Sequence, residues 1–365
     1  MNSDKMKMFI ECHVPIKACN FRCDYCFVTQ NKWWDSEKPD FSLCLDKIER
    51  ALSVDRLGGI AMINLCATGE TLLYHEMVEI IHKLLKAGHY VMVVTNGTMT
   101  ERLQELCEFL PEEKERLFLK ISFHYLELKK KNWIEKYFNN VSMVKNAGIS
   151  FTVELTPGDV YIPYISEIKE VCDKYLGVLC HVTVTRDETK IGFPLMTKLS
   201  REEFVRTWSE FDSELFRFKE SIFEVKRKEY CYAGKWGFVL ELGTGEYAQC
   251  YKGKRLGNIY DDVDQPLKLL AVGHNCQEGH CFNGHAFLGF GLIPELKTSD
   301  YADQRNRKCP DGSQWLSKRM ESFMRCRLCE ANNEDSAVDK KISDIKSFQI
   351  KRKVKSILKK HSCKE

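Results

Sequence analysis

Three cysteines near the start of the chain have the spacing of metal-cluster ligands. Cys19, Cys23 and Cys26 follow the pattern C-x3-C-x2-C, directly after an apolar run that predicts the first strand. Cysteine thiolates ligate the irons of iron–sulfur clusters, and a four-iron cluster offers four such positions. Three ligands would leave one iron open to another molecule, as a catalytic zinc site keeps a free position. The alternative is a zinc site completed by Cys12 or His13.

The same segment resembles the signature of the radical S-adenosylmethionine (SAM) superfamily, C-x3-C-x-Φ-C, in which Φ is aromatic. Tyr25 stands at the aromatic position. The resemblance implies that the three cysteines hold a catalytic [4Fe–4S] cluster, that SAM binds the open iron, and that Tyr25 packs near the adenine. It also implies that SAM is cleaved reductively to a 5′-deoxyadenosyl radical, which abstracts a substrate hydrogen. A reductant protein such as flavodoxin or ferredoxin is then an expected partner.

Two later strand ends supply candidate SAM-binding residues. The string C-A-T-G-E-T at 66–71 is similar to the family's G-G-E-P motif, although threonine replaces its first glycine and its proline. On this resemblance, Gly69 permits a close backbone approach and Glu70 recognises the methionine amine. Ser122, at the end of the fourth predicted strand, matches a family position near the ribose.

Three further polar residues are predicted at the same edge of the sheet. His124 stands where relatives commonly carry an acid, and we interpret it as a catalytic acid or base or, alternatively, as a polar strand end. Strand alternation points Glu154 and Arg186 toward the same cavity. Glu154 is a candidate catalytic contact to ribose or substrate, and Arg186 is a candidate partner of the SAM carboxylate.

A second group of cysteines predicts an auxiliary [4Fe–4S] cluster. The pattern C-x13-G-x4-C at 231–250 resembles the opening of the SPASM/twitch extension of radical SAM enzymes, and a predicted hairpin brings its ends together. A C-x4-C pair follows where twitch proteins tend to have C-x2-C. The predicted ligands are Cys231, Cys250, Cys276 and Cys281. His280 and His285 are the alternatives if one of these cysteines is not a ligand.

The composition is that of a globular protein in a reducing compartment. The chain is 44% hydrophobic and 29% charged, without an apolar run long enough to span a bilayer. Its start lacks the features of a secretion signal, so we expect a cytoplasmic protein whose seventeen cysteines are not paired in disulfides. Cys309, Cys326 and Cys329 are interpreted as ordinary thiols. The alternatives are a second auxiliary cluster, for which they supply only three ligands in an unusual order, and a cysteine that donates hydrogen to a substrate radical.

Alternating apolar runs and amphipathic stretches must position these residues. The predicted strands are Met8–Val14, Ile60–Leu65, Tyr90–Thr95, Leu117–Phe123, Ile149–Leu155 and Leu179–Val184. A repeating β–α pattern with right-handed crossovers predicts a parallel sheet with ligands at the carboxyl ends of its strands. We therefore predict an α/β protein, a partial (β/α)6 TIM-like barrel over 1–200. A connecting helix over 201–230 and a small twitch/SPASM-like domain of a β-hairpin plus helix over 231–330 follow.

The segment 331–365 is predicted to be a basic amphipathic tail. From 337 onward it carries ten Lys and Arg against three Asp and Glu, and this gives +7 while the rest of the chain carries −4. Its apolar residues recur at helical spacing: Ile350, Val354, Ile357 and Leu358. We interpret it as a contact to an anionic surface such as a membrane face, or alternatively as a solvated helix. No specific nucleic-acid partner is predicted.

The sequence thus favours a radical SAM enzyme that oxidises or epimerises a sugar-type or other small polar substrate. The first alternative is a maturase that crosslinks or epimerises a ribosomally made peptide. Few residues precede the first predicted strand, so an N-terminal peptide-recognition domain is not expected within this chain. An alternative of another class is a non-catalytic zinc-binding protein.

Overall fold

The first half of the protein alternates parallel strands with helices, as its sequence pattern predicts. The structure is a computed structural model that describes residues 4–281 and 284–348. Six strands carry the apolar runs: β1 (Met8–Val14), β2 (Ala61–Ala67), β3 (Tyr90–Thr95), β4 (Leu117–Ser122), β5 (Ser150–Leu155) and β6 (His181–Val182). All five neighbouring pairs among them are parallel. The predicted partial TIM-like barrel is therefore confirmed, and every strand bound lies within two residues of its predicted position.

Helices cover one face of this sheet. They are α1 (Phe27–Asn31), α2 (Ser42–Ala51), α3 (Val54–Leu57), α4 (Glu76–Lys86), α5 (Thr100–Cys107), α6 (Pro111–Lys114), α7 (Tyr125–Lys131), α8 (Ile134–Asn146) and α9 (Ile165–Leu176). A 3-10 turn covers Asp159–Tyr164. Apolar residues at helical spacing are buried against the strands, as in α4 at Met77, Ile80, Ile81, Leu84 and Leu85.

The predicted hairpin extends the same sheet. Strand β7 (Gly237–Glu241) pairs in parallel with β1, and β8 (Glu246–Ala248) and β9 (Arg255–Asn258) follow in antiparallel order. The sheet therefore has nine strands in the order β6-β5-β4-β3-β2-β1-β7-β8-β9. The cysteine-rich second half is thereby joined directly to the first strand of the barrel.

Two helices, not one, occupy the segment 201–230. They are α10 (Arg201–Ser209) and α11 (Glu214–Ile222), so the single connecting helix predicted there is wrong. Asp212 between them has a left-handed φ of 45°, and Ser213 caps α11 by accepting the Phe216 N–H at 3.2 Å. A residue in this conformation followed by a capping serine ends one helix and starts the next.

The C-terminal segment fills the face of the sheet opposite the helices. It contains α12 (His285–Gly289), α13 (Lys318–Arg325), a 3-10 turn (Leu328–Glu330) and α14 (Ala337–Ser347). Tyr90 of β3 stacks on Phe323 at 3.6 Å between ring centroids, and Phe9 of β1 meets Phe287 edge-on at 5.2 Å. These rings fill part of the inner face near the amino ends of the strands.

The apolar positions predicted for the tail, from Ile350 to Leu358, lie outside the described residues. Within the described ranges, α14 is the last helix, and none of the helices is long and apolar enough to cross a bilayer. The predicted surface contact of the tail stays a prediction.

Candidate cluster and SAM site

The three cysteines of the first motif lie on the loop between β1 and α1, at the carboxyl edge of the sheet. Two backbone hydrogen bonds hold the chain that leads into this loop: Gly69 N–H donates to Ile16 O at 2.7 Å, and Glu70 N–H donates to Ala18 O at 2.9 Å. A Cβ at Gly69 would lie 2.0 Å from Ala18 O. Glycine is required because the turn after β2 packs backbone to backbone against the cysteine loop.

The Glu70 carboxylate joins this turn to the end of β3. It accepts the Thr95 hydroxyl at 2.6 Å and the Asn96 N–H at 2.7 Å, and also the Leu72 N–H at 3.0 Å. Burial raises its pKa, and these three donors act against that rise. The carboxylate thus holds the ends of β2 and β3 together at the cavity wall, in addition to any contact that it makes with a ligand.

Asn96 connects the end of β3 to the cysteine loop through side-chain hydrogen bonds. Its side-chain amide donates to Asn20 Oδ1 at 2.7 Å and lies 3.9 Å from Cys19 Sγ, while Asn20 donates to Thr98 Oγ1 at 2.8 Å. The T-N-G turn that follows β3 therefore positions a cysteine as well as turning the chain.

The thiols are placed where backbone N–H groups can stabilise thiolates. Cys26 caps α1, and the N–H groups of Val28 and Thr29 act to lower its pKa, although burial raises that pKa overall. Burial and Glu70 raise the pKa of Cys19 to about 11, against a hydrogen bond from the Phe21 N–H at 3.4 Å. Since these thiols resist ionisation on their own, a bound cation is what would hold them as thiolates.

A cavity of about 300 Å³ opens beside the cysteines. Its lining includes most of the predicted site residues: Cys19, Cys23, Cys26, Tyr25, Gly69, Glu70, Ser122, His124 and Arg186. Five strand ends and the cysteine loop contribute to it, which agrees with ligand binding at the carboxyl edge of a parallel sheet. The structure thus brings together residues separated by more than 160 positions in the sequence.

Tyr25 and His124 form a hydrogen-bonded pair in the cavity wall. The Tyr25 hydroxyl lies 2.5 Å from His124 Nδ1, and Tyr161 donates to the Tyr25 hydroxyl at 3.4 Å. Burial lowers the pKa of His124 to about 4. At neutral pH the imidazole is therefore uncharged, and with Tyr25 donating to Nδ1 its proton is on Nε2. His124 is suited to donate a hydrogen bond and not to act as a strong acid.

Arg186 reaches the cavity from the loop after β6 and is paired with a carboxylate there. Its guanidinium lies 2.7 Å from Glu188 Oε1. Gln30 of α1 ties this loop to the cysteine motif, since it donates to Tyr25 O at 2.8 Å and accepts the Glu188 N–H at 2.8 Å. Neither Gln30 nor Glu188 was predicted; their only signal is proximity in three dimensions.

Glu154 is absent from the cavity lining and lies beneath the cavity in a buried ion pair with Arg305. Burial acts to raise the pKa of Glu154, but Arg305 and Lys120 outweigh it, so the pKa is lowered. Arg305 also contacts His285 Nε2 at 2.5 Å, which places that histidine inside the barrel and not with the auxiliary cysteines. The direct ligand contact predicted for Glu154 stays a prediction.

Lys219 of α11 lines the cavity and was missed by the sequence reasoning. Ser213 fixes this helix to β6, because its hydroxyl accepts the Val182 N–H at 3.0 Å. Lys219 shares a helix face with the buried residues Leu215, Phe218 and Ile222. A lysine in an otherwise apolar stripe was the available signal.

The four cysteines of the predicted auxiliary site are neighbours in space. Cys231 forms an isolated bridge with Gly273, and Cys250 follows the short strand β8. Burial raises the pKa of Cys231, and so do the nearby thiols of Cys281, Cys250 and Cys276. His280, the alternative ligand, lies 3.1 Å from Gly192 O through Nε2.

Among the described residues, Cys309 lies apart from Cys326. The thiol of Cys309 donates to Leu176 O at 3.5 Å, whereas that of Cys326 donates to Ser322 O at 3.5 Å and packs in a different core cluster. Within residues 4–281 and 284–348, no three His, Cys, Asp or Glu side chains converge on one metal ion, as a zinc site would require.

The fold and the site together define a class of protein: an α/β half-barrel with a three-thiol motif at the carboxyl edge of its sheet. Residues 14–173 match the family model described as the Radical SAM superfamily. The chain therefore contains a radical SAM domain, and the family of this domain uses a [4Fe–4S] cluster and SAM. No curated protein matches the chain.

Several solved structures are similar to this one. Streptococcus suis SuiB bound to S-adenosylmethionine is 14% identical over 71% of this chain, with a TM-score of 0.47, and this chain spans 65% of its length. The enzyme anSMEcpe with bound AdoMet and Kp18Cys peptide is 16% identical over 93% of this chain and 96% of its own, at 0.49. BtrN in complex with AdoMet and 2-DOIA is 14% identical over 72% and 81%, at 0.32. Because these TM-scores are below 0.5, residue roles are assigned from this chain alone.

The residues present fit the family's cofactors. Cys19, Cys23 and Cys26 supply three thiols to one cavity, which has room and polar groups beside them. Three thiols match a [4Fe–4S] cluster that keeps one iron for another ligand. These cysteines would hold the cluster, and the walls formed by Gly69, Ser122 and the cysteine loop would hold SAM.

Proposed function

We propose that the protein abstracts a hydrogen atom from a small polar substrate and that the substrate is then oxidised or epimerised. The reduced cluster and SAM, bound beside Cys19, Cys23 and Cys26, supply a 5′-deoxyadenosyl radical for this step. The observation that carries the proposal is the cavity shared by the three thiols and by polar residues from five later strand ends.

The chain's own residues would bind and orient the reactants. Tyr25 and His124 form a fixed polar wall, in which neutral His124 presents an Nε2–H donor. Ser122 offers a hydroxyl at the end of β4, and Arg186 offers a guanidinium held by Glu188. Apolar rings close the inner face below, so water reaches the reactants from one side only.

Charged and hydroxyl groups favour a small polar substrate. Besides Arg186, Glu188 and Lys219, the inner wall carries the hydroxyl groups of Ser122 and Thr185. Hydroxyl groups of a sugar-type substrate would find both donors and acceptors on this wall.

The auxiliary cysteines would hold a second cluster, because their four thiols are close enough to one another to raise the pKa of Cys231. With all four irons ligated by Cys231, Cys250, Cys276 and Cys281, such a cluster suits electron transfer and not substrate binding. It would accept the electron that a substrate radical loses on oxidation. The reductant protein would be a flavodoxin or ferredoxin.

Anaerobic reconstitution tests the proposal. The wild-type protein is expected to bind about eight irons per chain, four for each cluster, and to form 5′-deoxyadenosine from SAM and dithionite. A Cys231→Ala/Cys276→Ala variant is expected to retain about four irons and SAM cleavage. Bound zinc without SAM cleavage in the wild type would contradict the proposal, and conversion of a peptide in place of a small molecule would contradict its substrate class.

A further inference from the structure

We propose that Lys219 binds an anionic group of the substrate, a carboxylate or a phosphate, at the inner end of the cavity. This inference rests on the proposed function and deepens it, because it assigns a charge to the substrate. Lys219 lines the same cavity as the three cluster cysteines but projects from α11, on the opposite side from the cysteine loop.

The helix that carries Lys219 is fixed to the barrel. Ser213 caps α11 and bonds the backbone of β6 in both directions, accepting from Val182 N–H at 3.0 Å and donating to Val182 O at 3.3 Å. Leu215 and Phe218 bury the same helix face. The ammonium group is therefore directed into the cavity by a rigid support.

Two arginines of this region are already paired with carboxylates. Arg186 is bound by Glu188 and Arg305 by Glu154. In the part of the chain that the structure describes, no carboxylate forms a salt bridge with Lys219. After pairing, Lys219 therefore remains in this wall of the cavity without a carboxylate partner among the described residues.

Electrostatics shows why the position suits an anion. Burial, Arg186 and Arg305 lower the pKa of Lys219 far below its usual value, and Glu154 only partly opposes them. Lys219 is partly exposed and lies in the lining of the cavity. A bound anion would offset the cost of charging Lys219 in this buried position, since it would face Lys219 and the paired Arg186 together.

Donors in the same region also exceed acceptors. Arg305 Nε and His285 Nδ1 are buried and lack hydrogen-bond acceptors among the described residues. Both groups are electrostatic neighbours of Lys219: Arg305 lowers the pKa of Lys219, and after burial Lys219 and Arg305 lower the pKa of His285 most strongly. A region with surplus donors favours a ligand rich in acceptor oxygens.

Amine footprinting of the reconstituted holoenzyme with SAM tests the proposal without turnover. The probes are acetate and inorganic phosphate, compared with sodium chloride at equal ionic strength to separate binding from screening. Acetylation of Lys219 by an activated ester is followed by peptide mass spectrometry, with exposed Lys130 of α7 as the internal control. At about four times its Kd, an anion should slow the labelling of Lys219 roughly fivefold and leave that of Lys130 unchanged.

The two probes distinguish the sources of the charge: stronger protection by acetate assigns a carboxylate, and stronger protection by phosphate assigns a phosphate. As a second readout, the protecting anion should raise the Tm of the wild type, of Lys219→Arg and of Lys130→Met, but not that of Lys219→Met. Unchanged labelling of Lys219 with both anions would overturn the proposal. Full protection by SAM alone would also overturn it, by assigning Lys219 to the cofactor. SAM cleavage assayed in parallel shows separately whether the proposed enzyme function fails.

Discussion

The Gly69 N–H donates to Ile16 O at 2.7 Å, so the turn after β2 holds the chain that enters the cluster loop. This contact joins the two most recognisable motifs of the sequence by backbone alone. It gives Gly69 a role in forming the loop, independent of any contact with SAM.

The first prediction concerns that contact. Gly69→Ala would place Cβ 2.0 Å from Ala18 O, which forces the two loops apart. We expect a loss of roughly 3 kcal/mol in the free energy of unfolding and a lower iron content after reconstitution. The control is Gly158→Ala, where an added Cβ meets its nearest atom at 3.8 Å. Equal iron content in the two variants would contradict this role of Gly69.

The second prediction concerns the buried pair of Glu154 and Arg305. Glu154→Gln would leave the guanidinium of Arg305, which is 0% exposed, without a counter-charge. We expect about 3 kcal/mol of destabilisation, measured by chemical denaturation, and SAM cleavage per bound cluster close to wild type. Adding Arg305→Met should restore part of the stability. Loss of SAM cleavage at unchanged stability would instead assign Glu154 a direct role at the site.

The third prediction is a pH dependence of stability from His89. This buried histidine lies 2.6 Å from Leu52 O through Nε2 and accepts the Ala61 N–H on Nδ1 at 3.1 Å. Burial lowers its pKa to about 4. Between pH 4 and 6.5 the unfolded chain binds the proton and the folded one does not, so stability rises with pH by up to about 3 kcal/mol.

Comparison of the wild type with His89→Asn isolates this contribution. Denaturation curves at pH 5 and pH 7 should show a smaller difference in unfolding free energy for the variant. An identical difference in both proteins would show that His89 does not titrate as its burial requires.

The fourth prediction concerns the wall formed by Tyr25 and His124. Tyr25→Phe removes the hydroxyl that lies 2.5 Å from His124 Nδ1 and leaves that nitrogen buried without a donor. We expect a loss of about 1–3 kcal/mol in stability and weaker SAM binding, measured from the change in the electron paramagnetic resonance spectrum of the reduced cluster. Tyr164→Phe, on the neighbouring turn, is the control. Unaltered SAM binding in Tyr25→Phe would contradict a role for the hydroxyl.

Periodicity was sufficient to predict the barrel, because alternating apolar runs and amphipathic helices report burial directly. The strands from Met8 to Leu155 agree in type and position, and the three-cysteine motif lies at the predicted edge. The break between α10 and α11 was missed because it depends on a left-handed Asp212 beside a capping serine. Such a turn has only a weak sequence signal in a charged, aromatic stretch.

Site residues could be predicted where a sequence motif determines the local backbone. They could not be predicted where tertiary packing determines the position of the side chain. Ser122 reaches the cavity because the register of β4 places it there, and Arg186 reaches it from the loop after β6. Glu154 has the same register, but Arg305, some 150 residues later, engages its carboxylate. No local sequence pattern predicts an ion pair between residues so far apart in the chain. The same holds for the hydrogen bond from Gln30 to Arg186 O.

The most direct test of the central claim is SAM cleavage by Cys23→Ala. The variant is reconstituted anaerobically, its irons are counted, and 5′-deoxyadenosine is measured after addition of SAM and dithionite. We predict about four irons per chain, all in the auxiliary site, and no 5′-deoxyadenosine. Formation of 5′-deoxyadenosine at the wild-type rate would contradict the assignment of Cys19, Cys23 and Cys26 as the ligands of the catalytic cluster.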